Sequence, residues 1–186
     1  MRKNLPVKPI LYPQPVLIIA SYDENGVPNA MNAAWGCMAD FDKIAMYLAG
    51  NHKTVRNILA RGAFTVSMAD AAHVVEADYV GIVSGNDVPD KLEKAGLHTV
   101  KSEAVDAPLI EELPLAFECR FVSFDEESEL MIGEIVNISA DESILGEDGK
   151  IDAGKLNPIV FDAVHHVYRT LGEAVGNAFS DGKKLK

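Results

Sequence analysis

The sequence is short of basic residues. Its 186 residues include 17 Lys and Arg against 28 Asp and Glu, which gives a formal net charge of −11. Nucleic acids and anionic membranes bind proteins with a surplus of positive charge, so this balance argues against both as partners. The sequence also has no run of 18 apolar residues, the shortest that would predict a membrane-spanning helix.

Cysteine is scarce as well. Cys37 and Cys119 lie far apart and form no CxxC pair, so both are predicted to be reduced, buried thiols. Near the N-terminus, Pro6, Pro9 and Pro13 interrupt any apolar segment of the kind that a signal peptide needs. Together these features predict a cytoplasmic protein.

Several catalytic and binding motifs are absent. The sequence has no GxGxxG, no GxxxxGK[ST] and no GxSxG, which removes a dinucleotide fingerprint, a Walker loop and a nucleophile elbow. The five histidines show no metal-ligand spacing, so no metal site is expected. No pair of carboxylates is spaced as a general acid and base, and the residues alone identify no catalytic residue.

The pattern of apolar and turn residues predicts one domain, residues 1–186, of mainly β (α+β) class. Val16 to Ala20 is an apolar run that predicts a buried strand, followed by a turn at Asn25-Gly26. Pro28 to Met38 is predicted as the return strand and Lys43 to Ala49 as a third strand.

The rest of the chain mixes helices with strands. A helix capped by Asn51 or Thr54 and ended by Gly62 is expected first. The further elements predicted from periodicity are a strand at 63–68, helices at 71–82 and 90–95, strands at 115–124 and 130–138, a polar loop at 141–154 and a solvated tail at 180–186. Mostly hairpin-ordered strands with inserted helices favour an antiparallel barrel with peripheral helices.

One segment concentrates cations in this acidic chain. Asn51-His52-Lys53-Thr54-Val55-Arg56 lies at the predicted start of the first helix. Cations there oppose the helix dipole, unless an anion such as a phosphate binds the free N–H groups of the first turn. The alternative is that Lys53 and Arg56 pair with surface carboxylates.

A second segment is rich in small and amide side chains. Asn29-Ala30-Met31-Asn32-Ala33-Ala34-Trp35 could let a flat ligand lie against the strand, with backbone groups at its polar edge. Alternatively, Trp35 anchors the core and the Asn residues lie at the exposed end.

A third segment runs from Ala77 through Ser84-Gly85 to Lys91. Ser84-Gly85 is predicted to end a helix in a loop, and Lys91 could aim its charge at a ligand. A solvated lysine on a short helix is the alternative.

These segments, in this order, resemble the flavin reductase-like family and, within it, flavoredoxin-type proteins. The resemblance extends over roughly 13–183 and is carried by an ordered set of motifs. They include Asn29-Ala30-Met31 with Trp35, Lys53-Thr54, Gly62-x-Phe64-x-Val66, Ala77-Asp78-Tyr79-Val80-Gly81, Ser84-Gly85, Asp90-Lys91, Ala107-Pro108-Leu109, Glu118-Cys119, Gly133-Glu134-Ile135 and Leu171-Gly172-Glu173.

The resemblance implies the FMN-binding split barrel, a Greek-key-like antiparallel barrel with peripheral helices. It also implies a homodimer with non-covalent FMN near the subunit interface. Carried over by position, the cofactor-binding residues are Asn29, Ala30, Met31, Asn32, Trp35, Asn51, His52, Lys53, Thr54, Ser84, Gly85, Lys91 and Phe161. The strand from Asn29 to Trp35 would line the flavin ring with Phe161 beside it, and the turn from Asn51 to Thr54 would hold the phosphate.

The resemblance has one gap. Relatives often carry a His before the Gly-Glu motif, where this chain has Ser128-Glu129-Leu130-Met131-Ile132-Gly133. His165 or His166 could take its place.

Three functions follow as expectations. The first is an oxidoreductase that takes electrons from NAD(P)H, either keeping FMN as a prosthetic group or releasing reduced FMN. The second is a flavoredoxin-like electron carrier that serves a redox protein partner and does not use NAD(P)H. The third is a split-barrel binding module with another ligand.

Overall fold

The protein is mainly antiparallel β structure with four α-helices. The computed structural model describes residues 1–186. Its strands are β1 (Gln14–Pro15), β2 (Leu17–Tyr22), β3 (Pro28–Ala33), β4 (Gly36–Asp40), β5 (Lys43–Tyr47), β6 (Ala63–Met68), β7 (Thr99–Lys101), β8 (Pro108–Ile110), β9 (Leu115–Asp125), β10 (Leu130–Ala140), β11 (Ile159–Asp162) and β12 (Val167–Thr170). Its helices are α1 (Lys53–Arg61), α2 (Val74–Ile82), α3 (Lys91–Ala95) and α4 (Ala153–Leu156), with 3₁₀ turns at Glu142–Ile144 and Asp181–Leu185.

Seven strands form one curled sheet. Their order is β3-β2-β6-β9-β10-β5-β4, and every neighbouring pair is antiparallel. The two edge strands, β3 and β4, are consecutive in the chain and joined by Ala34 and Trp35 alone. A two-residue link can join opposite edges of a sheet only if the sheet curls until those edges meet. The half-barrel confirms the predicted fold class.

Strand β2 is buried on both faces. Leu17 and Ile19 belong to the core inside the curl, which β5, β6 and β10 share and helix α1 closes with Val55 and Ile58. Ile18 belongs to a second core on the outer face, together with side chains of α2, α3 and β8. Burial on both faces is why β2 reads as an unbroken apolar run and not as an alternating one.

The predicted return strand is two strands. The segment from Pro28 to Met38 breaks at Ala34-Trp35, where the chain crosses from one sheet edge to the other. Gly36 starts β4 in a crowded place, since a Cβ atom there would lie 2.7 Å from Leu17 Cδ1. The long strands β9 and β10 and the turn between them confirm the prediction.

Helix boundaries differ at their N-termini. Helix α2 begins at Val74 and not at 71, because Asp70 Oδ1 accepts the backbone N–H groups of Ala72 and His73 in a preceding turn. Gly62 ends α1 in a left-handed conformation (φ 72°), as predicted. Neither predicted cap of α1 is used, since His52 takes the N-cap position without a side-chain hydrogen bond.

Several short strands were not predicted from the sequence. Strands β1, β11 and β12 form a separate three-stranded sheet, and β7 pairs with β8. The predicted loop at 141–154 contains the first 3₁₀ turn and the start of α4. None of the helices is long and apolar enough to cross a membrane.

The two cysteines lie in different environments. Cys119 is buried as predicted, and burial, with the neighbouring Glu118 carboxylate, raises the pKa of its thiol to about 12. Cys37 is exposed, so the prediction that both thiols are buried is wrong for Cys37. The reason is its strand: β4 is an edge strand, and most of its side chains are exposed.

Candidate functional site

A cavity of about 160 Å³ lies where strand β3 meets the start of α1 and the end of α2. We call it the first cavity. Its lining residues are Asn29, Met31, His52, Lys53, Thr54, Val80, Gly81, Ile82, Val83, Ser84, Gly85 and Lys91. The three segments that the sequence analysis singled out therefore meet at one place.

The start of α1 supplies unused hydrogen-bond donors to this cavity. His52 caps the helix without a side-chain hydrogen bond, and no acidic residue lies in the first turn. The backbone N–H groups of Lys53 and Thr54 have no acceptor within the chain. Such groups carry partial positive charge from the helix dipole and are a common binding site for phosphate.

The Thr54 hydroxyl is held in place by Asn29. Asn29 Nδ2 donates a 2.7 Å hydrogen bond to Thr54 Oγ1, and both side chains are buried. Because the hydroxyl oxygen accepts this bond, its own proton stays available for an acceptor in the cavity. Asn29 and Thr54 therefore satisfy each other's buried polar groups, and the Thr54 O–H remains as a donor to a ligand.

Lys53 is shared between the cavity and one carboxylate. Its Nζ lies 3.3 Å from Asp23 Oδ2. Burial raises the pKa of Asp23, but the backbone N–H of Val27 and the Lys53 ammonium outweigh it, so this carboxyl titrates below its ordinary range. The alternative of a carboxylate partner therefore holds for Lys53.

The alternative does not hold for Arg56. Its guanidinium donates to the Asn51 carbonyl oxygen at 2.9 Å and to Asn86 Oδ1, and it forms no ion pair. Its guanidinium therefore bonds to neutral oxygens and not to a carboxylate.

Lys91 is buried, so the alternative of a solvated lysine is wrong. Its Nζ donates to the carbonyl oxygens of Val80 at 3.0 Å and Val83 at 2.9 Å, at the C-terminus of α2. Burial, with repulsion from Lys53, lowers the pKa of this ammonium to about 8. A protonated lysine has three donors, so one remains for a ligand in the first cavity.

Two glycines keep the cavity wall thin. A Cβ atom on Gly85 would lie 2.0 Å from Asn29 Oδ1, and one on Gly81 would lie 2.9 Å from Asn32 Cβ. Real Cβ atoms do not approach other atoms that closely, so α2 and the following loop can pack on β3 only with glycine at these positions. Ser84 stands just after α2, as predicted.

A second cavity shares Gly81 and Ile82 with the first. Its other lining residues are Asn32, Ala34, Asp78, Phe161 and Tyr168. The Tyr168 hydroxyl donates to Asp78 Oδ1 at 2.7 Å, and burial together with this carboxylate raises the pKa of Tyr168 to about 12. Tyr168 therefore stays protonated near neutral pH.

The sequence analysis did not single out Asp78 or Tyr168 as site residues. They are 90 positions apart in the chain. Tyr168 lies on the short strand β12, which has no sequence pattern of its own, so only the fold brings the two together.

Most of the expected cofactor-binding residues meet in these two cavities. Asn29, Met31, His52, Lys53, Thr54, Ser84, Gly85 and Lys91 line the first, and Asn32 and Phe161 line the second. Ala30 lines neither cavity, because it is fully buried in the outer core. Asn51 lies outside them, beside Phe124 and Glu129.

Trp35 also lies apart from both cavities. Its side chain is 54% exposed, so the alternative of a core anchor is wrong. It lines an apolar groove with Cys37, Tyr47 and three prolines of the N-terminal arm. Any contact of Trp35 with a flavin stays a prediction.

Neither candidate for the missing histidine lines the first or the second cavity. His165 and His166 lie in the turn between β11 and β12, and His165 Nδ1 is 3.0 Å from Asp162 Oδ2. No three His, Cys, Asp or Glu side chains are grouped so that they could hold a metal ion.

Comparison with known proteins gives a family and a fold. The model of the flavin reductase like domain matches residues 10–166. Among solved structures, the flavoredoxin of Desulfovibrio vulgaris (Miyazaki F) superposes with a TM-score of 0.93 at 39% identity, covering 98% of this chain and 100% of the other. The flavoredoxin of Methanosarcina acetivorans gives a TM-score of 0.89 at 27% identity, with 100% of both chains covered.

Two sequence relatives extend the comparison. YwrF, an uncharacterized protein of Bacillus subtilis, is 28% identical over 87% of this chain and 85% of its own. An uncharacterized protein of Aeropyrum pernix is 32% identical over 67% of this chain, and the match spans 49% of that longer protein. An FMN-binding domain of a flavin reductase-like enzyme from Shewanella baltica shares the fold, with a TM-score of 0.78 at 21% identity. With its domain match, its fold and its three converging segments, this chain belongs to the flavin reductase-like family.

Proposed function

We propose that the chain binds FMN non-covalently in the first and second cavities and serves flavin-dependent electron transfer. The observation that carries this proposal is the uncapped start of α1. In a chain of net charge −11, two free N–H groups, Lys53 and Lys91 converge there on one small cavity. Such a place stabilises a bound phosphate, and family membership points to a flavin as its carrier.

The residues present fit this cofactor. The α1 N–H groups, the Thr54 hydroxyl and the Lys53 ammonium would hold the phosphate. Gly85 leaves a space that any side chain would fill, since its Cβ would meet both Asn29 Oδ1 and Lys53 Cδ. The ring would extend along β3 past Met31 towards Asn32 and Phe161 of the second cavity.

FMN, when bound, supplies the hydride- and electron-transfer chemistry. The chain's own residues bind and orient it. Lys91 adds positive charge near the cofactor, and the Tyr168 hydroxyl stays a fixed donor to Asp78. No carboxylate side chain lines the first cavity, so the proposal assigns no proton transfer between a carboxyl group and the flavin there.

The electron donor separates two versions of the proposal. An oxidoreductase would take hydride from NADH or NADPH, either keeping FMN or releasing it reduced to a partner. An electron carrier would receive electrons from a redox protein, and the 39% identity with a flavoredoxin over the whole chain favours this version. The acidic chain suits docking with a basic redox partner.

One experiment tests both versions. The purified, dialysed protein is followed anaerobically by absorption after NADH, NADPH and then dithionite are added. Bleaching of a bound flavin by a nucleotide identifies a reductase, and bleaching by dithionite alone identifies a carrier. If no flavin is retained and none binds on reconstitution, the proposal fails and a split-barrel module with another ligand takes its place.

The chain is also proposed to form a homodimer. Trp35 and Tyr47 are exposed and line an apolar groove beside β4. Exposed apolar patches of this kind mark protein interfaces. Sedimentation equilibrium should give twice the chain mass, with or without FMN, whereas a monomer would contradict the expected partner.

A further inference from the structure

The second cavity contains a carboxylate, whereas the first does not. Asp78 lies on α2 and lines the second cavity together with Asn32, Phe161 and Tyr168. The first cavity is lined by two lysines and a histidine, and by no carboxylate side chain. The function proposed above gives Asp78 no role of its own towards the flavin.

Asp78 is held by one hydrogen bond. The Tyr168 hydroxyl, on strand β12, donates to Asp78 Oδ1 at 2.7 Å. Asp78 forms no ion pair, and its Oδ2 accepts no hydrogen bond within the chain. One oxygen of this side chain is therefore fixed by the protein, and the other remains an acceptor for a ligand in the second cavity.

Tyr168 is a lasting partner of this carboxylate. Burial, together with Asp78, raises the pKa of Tyr168 to about 12, so the phenol keeps its proton and donates at neutral pH. A hydrogen bond to an ionised oxygen stabilises the charge on that oxygen and draws part of it away from other neighbours. The Tyr168 ring also lies beside Phe161, with 6.1 Å between the ring centroids. Asp78 and Tyr168 thus form one unit next to the residue expected beside the flavin ring.

A flavin ring changes its charge when it is reduced. Two electrons and one proton convert the neutral oxidised ring into a reduced anion, with the new proton on N5 and the charge shared by N1 and the C2 carbonyl oxygen. A carboxylate near the ring repels this anion and affects the neutral oxidised ring much less. The N3–H group of the ring is a donor in both states and suits the free Oδ2 of Asp78.

We propose that Asp78 lowers the reduction potential of the bound flavin and that the hydrogen bond from Tyr168 limits this effect. The inference rests on the proposed flavin function, because it places the ring in the second cavity. A cofactor of lower potential gives up its electrons with a more favourable free energy, which suits a protein that passes electrons on. Asp78 is thereby a group that sets the driving force of the electron transfer.

The test measures the reduction potential of bound FMN. The full chain, loaded with FMN, is reduced slowly and anaerobically by xanthine and xanthine oxidase in the presence of a reference dye. Asp78→Asn keeps the shape of the side chain and an oxygen for Tyr168, but removes the charge. It should raise the affinity for reduced FMN relative to oxidised FMN by about tenfold, which raises the potential by about 30 mV for a two-electron couple.

Tyr168→Phe should have the opposite effect. Without the hydroxyl, neither oxygen of Asp78 has a donor, so more of the negative charge acts on the ring. The affinity for reduced FMN relative to oxidised FMN should fall by about threefold, and the potential should fall with it. A change in the shape of the second cavity alone would not give opposite signs in Asp78→Asn and Tyr168→Phe.

Glu76→Gln is the matched control. Glu76 lies on α2 two residues before Asp78 and lines neither the first nor the second cavity, so its loss should leave the potential as in wild type. An unchanged potential in Asp78→Asn, or a potential at or above that of wild type in Tyr168→Phe, overturns the inference and leaves the flavin function standing. A wild-type chain that binds no FMN would refute the proposed function and this inference together.

Discussion

Two helix starts in this molecule are built in opposite ways. At α4, Asp152 caps the helix by accepting the backbone N–H groups of Gly154 at 2.7 Å and Lys155 at 3.1 Å. At α1, His52 stands in the same position and caps nothing, and Lys53 follows it where the helix dipole disfavours a cation.

The start of α4 serves only to stabilise its helix, whereas the start of α1 has the features of a binding site. At the start of α4 the Asp152 carboxylate accepts two of the free N–H groups and matches the helix dipole. The start of α1 is left incomplete beside a cavity, with donors and positive charge that an anion would satisfy. A protein can tolerate such a start where a ligand completes it.

His52→Asp should have the largest effect, because it makes the start of α1 resemble that of α4. The carboxylate would cap the helix and stabilise the protein without ligand by about 0.5–1 kcal/mol. It would also repel the phosphate, so FMN affinity should fall by roughly one hundredfold. Thermal unfolding and flavin fluorescence titration measure the two opposite changes, and a rise in both quantities would refute the phosphate assignment.

Removal of one cation should have the next largest effect. Lys53→Ala should weaken FMN binding by about tenfold or more, since a charge-assisted bond to the phosphate is lost. The matched control is Lys155→Ala in the first turns of α4, which should leave FMN affinity as in wild type. Equal affinities in all three proteins would show that Lys53 serves Asp23 alone.

The pH dependence of FMN binding should report on Lys91. Burial lowers the pKa of this ammonium to about 8, so its charge is present at pH 7 and lost by pH 9. FMN affinity should therefore fall severalfold across this interval. A pH-independent affinity in wild type, or the same fall in Lys91→Met, would contradict the role given to Lys91.

The lowered pKa of Lys91 should decrease FMN affinity as pH rises but increase the stability of the folded protein. An unfolded chain keeps Lys91 protonated up to its ordinary pKa of 10.5, whereas the folded chain releases the proton near 8. Between these values the unfolded state binds more protons, so this group raises the free energy of unfolding as pH increases. Denaturant unfolding of wild type and Lys91→Met at pH 7 and 9.5 measures the difference.

Asp152→Ala should leave the flavin site untouched. Loss of the cap should cost about 1 kcal/mol of stability, and FMN affinity should not change. Calorimetric unfolding and a flavin titration of this variant measure both. A weaker flavin affinity would mean that the two helix starts are not independent.

Much of the fold could be predicted where local signals agree. The apolar run of β2, the acidic turn between β9 and β10, and the left-handed Gly62 at the end of α1 each specify their own structure. Strands β1 and β11 do not, because Gln14 pairs with Phe161, a residue far away in the sequence. Their two to four residues show no periodicity that a sequence reading could use.

The site was predictable in part for the same reason. Lys53 and Thr54 stand out because cations at a helix start oppose its dipole. The buried position of Lys91 depends on the carbonyl groups that α2 leaves open, and Trp35 is exposed because its link joins two sheet edges. These facts arise from tertiary packing and carry no local signal.

In the proposed complex, the start of α1 holds the phosphate of a flavin. The most direct measurement is an equilibrium titration of the flavin-free protein with FMN and, in parallel, with riboflavin, which has the same ring and lacks the phosphate. If the start of α1 holds this phosphate, FMN should bind at least about one hundredfold more tightly than riboflavin. Equal affinities for the two flavins would contradict it.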